Sequence, residues 1–175
     1  NDIPGLKAEK QHLLDSVRHH RVSHAQLFYG HPGTMMLPLA LAYCQYLVCK
    51  HPKEDDSCGQ CSHCQQFSSL NYPDLHFSFP FAKTKNAPTK PDCDFYLRDW
   101  HQFVKDNRVF SLNDWLLSLD IEDKQAQINV QEAARIVKKL QLKSYSGSYK
   151  FMLLYLPEYL HPSAANKLLK TLEEP

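Results

Sequence analysis

Gly30-His31-Pro32-Gly33-Thr34-Met35-Met36-Leu37 is the stretch that decides how the rest of the chain is read. It has the frame of a phosphate-binding loop, G-x-x-x-x-G-K-[ST]. In that loop the glycines let backbone N–H groups approach the phosphates, the lysine neutralises them and the hydroxyl holds Mg²⁺. Here Gly30 and Gly33 are present, but Met35 stands at the second glycine of the motif, Met36 at the lysine and Leu37 at the hydroxyl. A frame kept without its chemistry predicts a nucleotide-hydrolase scaffold that binds no ATP and does no hydrolysis.

The flanking residues supply the context such a loop requires. Ala25-Gln26-Leu27-Phe28-Tyr29 reads as a short buried strand entering the glycine turn, and residues 34–49 read as a long apolar helix. Pro38 falls in the first turn of that helix, where N–H groups have no intrahelical partner. A helix is expected earlier, from Lys7 to Arg21. A second strand is expected at Asp74–Phe79 and an amphipathic helix at Val130–Leu142, with Val130, Ala133, Ala134, Val137 and Leu140 on its apolar face. Tyr149–Leu156 reads as an apolar strand at the centre of a parallel sheet. Ser146-Gly147-Ser148 is the turn before it. A last helix is expected from Pro162, with Ser163 as N-cap and Ala165, Leu168, Leu169 and Leu172 inward. Alternating strands and helices predict an α/β fold, a parallel sheet flanked by helices. Residues 80–126 break the pattern. Pro88, Pro91 and several lysines suggest loop, whereas Trp100, Phe103, Val104, Trp115, Leu116 and Leu117 suggest short packed helices, so this stretch reads as an insertion covering part of the sheet.

A working nucleotide site also needs carboxylates where a central strand ends, to hold Mg²⁺ and position water. At that place the chain has Tyr155 and Leu156. Glu158 lies further on, after a proline, and reads as a solvated turn residue. Both halves of the site are thus degenerate together, and no catalytic residue is assigned.

Cys58-x-x-Cys61-x-x-Cys64, preceded by Cys49, places four thiols between residues 49 and 64. Tetrahedral zinc takes sulfur ligands at about 2.3 Å, and cysteines three apart chelate one ion through a tight turn. Gly59, with Asp55, Asp56 and Ser57, supplies the turn chemistry. A complete set of four ligands closes the site, which predicts structural zinc; His51 and His63 are substitutes the set does not need. Cys44 reads as a core thiol, and Cys93 stands alone in the insertion with no role assigned.

The 175 residues amount to one domain, 43% hydrophobic and 22% charged, with net charge +1. No global basic field argues for nucleic-acid binding by charge alone. No apolar run reaches the roughly 18 residues of a membrane span. Asn1-Asp2-Ile3-Pro4-Gly5 carries no secretory signal, and six cysteines without sign of export favour thiol or metal chemistry. A cytoplasmic protein is the expectation.

Three segments carry a resemblance: His24-Ala25-Gln26-Leu27-Phe28-Tyr29-Gly30, the cysteine quartet after the following helix, and Ala164-Ala165-Asn166-Lys167-Leu168-Leu169-Lys170-Thr171-Leu172-Glu173-Glu174-Pro175. Together they resemble bacterial DNA polymerase III clamp-loader subunits. Within that group the degenerate loop is similar to the delta prime family, whose members typically lack phosphate-loop and Mg²⁺-binding residues. The resemblance covers residues 1–79 and 127–175, and implies an AAA+ (P-loop NTPase-like) module holding a four-cysteine zinc module at 49–64. It implies as partners the ATPase subunits and delta of the loader and, indirectly, the sliding clamp and primed DNA, with no membrane. An arginine finger for a neighbour's ATP site would lie in a Ser-Arg-Cys motif beyond Pro175, as would the lid and collar domains. Residues 1–175 therefore read as an N-terminal, C-terminally truncated AAA+-like fragment.

In AAA+ sheets a strand following the last helix lies between those expected at 25–29 and 149–156. Without it, the expectation is that these two pair directly or that the fragment self-associates to cover their edges. Two other function classes remain open: an ATP-hydrolysing motor subunit with an atypical loop, and a zinc-dependent nucleic-acid-binding module. Arg21 and His24 touch a partner or cap the helix–strand junction. Trp100 and Trp115 read as core of the insertion, and Lys167 and Lys170 as the solvated face of the last helix.

Overall fold

The computed structural model describes residues 3–31, 33–121, 123–145, 147 and 149–174. Helices dominate: α1 (Lys7–Arg18), α2 (Met36–Val48), α3 (Ser62–Ser68), α4 (Cys93–Asp106), α5 (Leu112–Ser118), α6 (Val130–Gln141) and α7 (Pro162–Glu173). Two strands, β1 (Leu75–Ser78) and β2 (Phe151–Leu154), form the one sheet among the described residues. Phe151 N–H donates to Asp74 C=O at 2.7 Å and Tyr155 N–H to Ser78 C=O at 2.8 Å. Both strands advance four residues between these bonds, so the pair is parallel. Of the turn expected before β2, Gly147 has φ +120°, while Ser146 and Ser148 lie outside the described residues. The residues fall into two compact units, Asn1–Asp74 with Ser144–Phe151, and Leu75–Lys143 with Met152–Pro175.

In the first unit α2 is the organising helix. Leu39, Ala40, Tyr43, Cys44 and Gln45 are its buried face, so Cys44 is a core thiol as expected. Pro38 is accommodated in the first turn. The Ser16 and Tyr43 hydroxyls, 2.9 Å apart, tie α1 to α2. The expected strand at 25–29 does not form. Those residues carry no ladder, and Leu27 and Tyr29 are 77% and 88% exposed. Nor do they pair directly with β2. An apolar run becomes a buried strand only when neighbours satisfy its backbone and cover its faces. Among the described residues only Phe28 finds aromatic cover, its ring 6.4 Å from that of Tyr43.

The second unit holds the larger core. Asn129 caps α6 by accepting from Glu132 N–H, and α6 packs on α7 through Ala133, Ile136, Ala164 and Leu168. The cap of α7 is His161, whose ring nitrogen accepts from Ser163 N–H, rather than Ser163 itself. Pro162 occupies the first helical position, which its fixed φ suits, and this moves the cap ahead of Ser163. Leu169 and Leu172, expected inward, are each 49% exposed, because α6 covers only the Ala164–Leu168 seam. Lys167 and Lys170 are exposed as expected. β2 is half-buried rather than central, having one ladder partner.

The 80–126 stretch is a packed structure. Asp92 caps α4 by accepting from Asp94 and Phe95 N–H, and Ser111 with Asp114 forms a capping box on α5. These caps start the helices after proline-rich and polar turns. Trp100 and Trp115 are fully buried. Trp100 stacks on Phe79 at 4.2 Å and meets Trp115 edge-on at 5.0 Å, while Trp115 Nε1 donates to Pro80 C=O at 3.0 Å. Offset and edge-to-face rings of this kind add about 0.5–1.5 kcal/mol each beyond the area they bury.

Candidate functional site

The cysteine quartet is assembled by the end of α2 and the start of α3. Cys49 follows the last turn of α2 and Cys61 is the residue before α3, while Cys64 lies one turn inside that helix. Gly59, between Cys58 and Cys61, has φ +72°, a left-handed conformation in which a side chain would be strained. That turn folds Cys58 back toward Cys61. All four Sγ atoms lie within 4.8 Å of one another, with Cys61–Cys64 at 3.5 Å, Cys49–Cys64 at 3.6 Å and Cys58–Cys64 at 3.9 Å. Tetrahedral ligation at about 2.3 Å separates sulfurs by about 3.8 Å, so the cluster has the size of a metal cage.

Its surroundings favour thiolate at Cys58 and Cys61. Cys58 N–H points at Cys49 Sγ at 3.2 Å, and Cys61 N–H at Cys58 Sγ at 3.3 Å. Burial pushes the Cys61 thiol up, but main-chain hydrogen bonds at Cys64 and Lys50 and the neighbouring thiols bring it down to about 6. Burial and the nearby Cys61 push Cys64 up to about 12. Four thiols this close cannot all ionise unless a cation neutralises them. None of the six cysteines is in a disulfide. His63 turns away, its Nδ1 2.7 Å from Val48 C=O and its ring edge-on to Tyr72. Gln45 supports the loop from α2, donating to Ser57 Oγ at 2.8 Å in a buried contact.

The Gly30 loop leads into α2, which starts at Met36 with no side-chain cap. Gly33 has φ +75°, the glycine turn the frame predicts. A Cβ on Gly30 would meet Thr34 Oγ1 at 3.0 Å and Met36 Cγ at 3.2 Å. Thr34 and Met36 thus fold back over Gly30. Met35, Met36 and Leu37 are all half-buried. Pro32 lies outside the described residues.

At the end of β2, Tyr155 is half-buried. Its ring lies 5.4 Å from both Trp100 and Phe110, and its hydroxyl donates to Phe110 C=O at 3.4 Å. Burial pushes its pKa up to about 12. Leu156 adopts φ +54°, opening a 3₁₀ turn at Pro157–Tyr159, and Glu158 is exposed in that turn as expected.

The sequence reading missed one polar cluster. Glu132, fully buried on α6, accepts from Cys93 N–H at 3.0 Å and Arg135 Nε at 2.8 Å. Arg135 also bonds Phe77 C=O and reaches Asp94 at 2.8 Å, where Lys139 joins at 2.7 Å. Burial works against the Arg135 charge, but the Glu132 carboxylate more than restores it and holds its pKa above the usual value. Cys93 is a buried residue of this clip, not an isolated thiol: Phe79 N–H points at its Sγ at 3.4 Å. The spacing of Glu132 and Arg135 on the inner side of α6 was the available signal.

These features define a small α/β protein with parallel strands and a four-cysteine cluster that could hold a metal. The family model described as "DNA polymerase III, delta subunit" matches residues 5–175, and the chain belongs to that family. It is similar to DNA polymerase III subunit delta' of Yersinia pestis, 26% identical over 175 residues, all of this chain and 39% of that relative. The corresponding subunit of Bacillus subtilis is 37% identical over 68 residues, 39% of this chain and 20% of the relative. Subunit tau/gamma of Haemophilus influenzae is 22% identical over 174 residues, 99% of this chain and 19% of the relative. The chain spans about two-fifths of the length of the delta' relative it matches end to end. Among the described residues no helix is long and apolar enough to cross a membrane.

Proposed function

We propose that this chain is part of a clamp-loader subunit of the delta prime kind, which supports the loading of a sliding clamp on primed DNA without hydrolysing ATP. The observation that carries the reading is the fate of the two half-sites. Met36 lies over Gly30 in the loop, and Tyr155 is packed among aromatic rings at the strand end. A side chain that fills its own loop cannot neutralise phosphate, and a phenol packed among aromatic rings cannot hold Mg²⁺ as a carboxylate does. The parallel strands and their flanking helices are consistent with an AAA+ module, with 49–64 as a zinc module and 80–126 as an insertion.

The ATPase subunits and delta are the proposed partners, and the cytoplasm the proposed location. Zinc is the metal proposed for Cys49, Cys58, Cys61 and Cys64, because four thiolates at tetrahedral separations leave no open position. It would fix the α2–α3 loop and take no part in chemistry. Titration with a fluorescent ATP analogue tests the reading. No binding at tens of micromolar is expected, whereas micromolar affinity with turnover would make this an ATP-hydrolysing motor subunit instead.

A further inference from the structure

The loop that opens the 80–126 insertion and the segment that closes it meet around a cavity of about 570 Å³. Nothing in the proposed role uses it. Phe81 and Gln127 exchange main-chain hydrogen bonds at 3.4 and 3.0 Å, which clamps the two segments together. Lys83, Thr84 and Lys85 line the cavity from the opening loop, and Lys124, Gln125 and Gln127 from the closing segment. The lining includes no carboxylate among the described residues. Phe81, Ala82 and Pro91 are buried and form its apolar side.

The backbone carrying these lysines is held in place. The buried Tyr96 hydroxyl donates to Ala82 C=O at 3.1 Å and accepts from Thr84 N–H at 3.2 Å. Lys124 Nζ spans the gap to Lys83 C=O at 2.7 Å. That bond uses one ammonium proton and leaves two for a ligand. Lys83, Lys85 and Lys124 thus bring three lysines to the border of one cavity in a chain whose net charge is only +1. Like charges collected around a concave surface repel one another unless a counter-charge joins them.

We propose that this cavity binds phosphate oxyanions, with Lys83, Lys85 and Lys124 supplying charge and Thr84, Gln125 and Gln127 neutral donors. Several ammonium point charges with adaptable side-chain donors suit the many oxygens of a phosphate better than the flat edge of one carboxylate. The phosphate could be that of a free phosphorylated molecule or of a nucleic-acid strand. The site stands apart from the clamp-loader reading, because it rests on residues 81–85 and 124–127 and uses neither the Gly30 loop nor Tyr155.

Backbone-amide NMR of the chain, titrated with pyrophosphate and separately with a thymidine oligonucleotide, tests it. Saturable shifts confined to residues 81–85 and 124–127 are expected. Replacing Lys83, Lys85 and Lys124 together by Gln should weaken binding at least ~10-fold and lower the oligonucleotide's salt slope by about 2. Lys90→Gln, an exposed lysine outside the lining, should leave binding unchanged. Binding of both probes in competition assigns the site to a nucleic-acid strand, and binding of pyrophosphate alone to a free phosphorylated ligand; either supports it. No saturable shift with either probe, or equal weakening by Lys90→Gln, overturns it.

Discussion

The indole of Trp100 lies 5.4 Å from the ring of Tyr155, so an aromatic side chain of α4 packs against the residue that follows β2. Trp100 is fully buried, and Phe79, Phe110 and Trp115 enclose the rest of it. Residues of α4 and the end of β2 therefore belong to one aromatic packing arrangement. Trp100→Ala should destabilise the chain by about 3–5 kcal/mol, because the cavity cannot collapse around so many rigid rings. Denaturant unfolding measures this, and a loss near zero would mean that the aromatic cluster does not form.

Removing one thiol should disable the metal cage. Cys64→Ser is expected to abolish stoichiometric zinc in protein purified under reducing conditions and to lower the melting temperature by roughly 10 °C or more. Chelation should do the same to the unaltered chain. Cys44→Ala, a core thiol outside the cluster, should keep its zinc. Metal analysis with calorimetry reads both, and well under one zinc per unaltered chain would refute the assignment.

The Glu132 clip should respond asymmetrically to its variants. Glu132→Ala leaves Arg135 charged, buried and without its main partner, at a cost of about 3–5 kcal/mol. Glu132→Leu combined with Arg135→Leu removes both charges and should cost less than Glu132→Ala alone. Equilibrium unfolding of the two variants compares them directly; a double variant that is the worse of the pair would count against the clip.

His101 should contribute to acid sensitivity. Burial, with the Lys105 charge adding to it, holds its pKa below the usual 6.5. The folded state therefore favours neutral imidazole, and the unfolded state takes up its proton first as pH falls. Its contribution is present above pH 6.5 and is lost as pH falls through the folded pKa. His101→Leu should flatten the stability profile on the acid side of pH 6.5, with little change above it. Unfolding midpoints across that range report the difference, and parallel profiles would exclude the effect.

Self-association should depend on the exposed 25–29 segment, whose Leu27 and Tyr29 are uncovered. Unpaired backbone beside apolar side chains is a template for a second chain. Sedimentation should show concentration-dependent association that Leu27→Glu with Tyr29→Glu reduces. A chain that stays monomeric at high concentration would rule it out.

Local chemistry made much of this molecule legible. Helices α1, α2 and α6 follow from apolar periodicity, and the thiol cage follows from the spacing of Cys58, Cys61 and Cys64, because a three-residue turn fixes the distance between ligands. The expectation of no phosphate chemistry at Met35, Met36 and Leu37 likewise rests on residue type alone. Local pattern failed where the outcome depended on a partner. Residues 25–29 have the composition of a strand, yet without a ladder neighbour they form none, and Leu27 and Tyr29 stay exposed.

What the sequence determined by itself, then, was the identity of the chemical groups, the helices and the family, because these rest on side-chain type at short separations. Only the tertiary structure decided that Trp100 packs on Tyr155, that Glu132 reaches the start of α4 39 positions earlier in the chain, and that Lys83 and Lys124 border one cavity. Those pairings close long loops and bury groups against one another. Their free energy comes from complementary shape and charge, which no local pattern encodes.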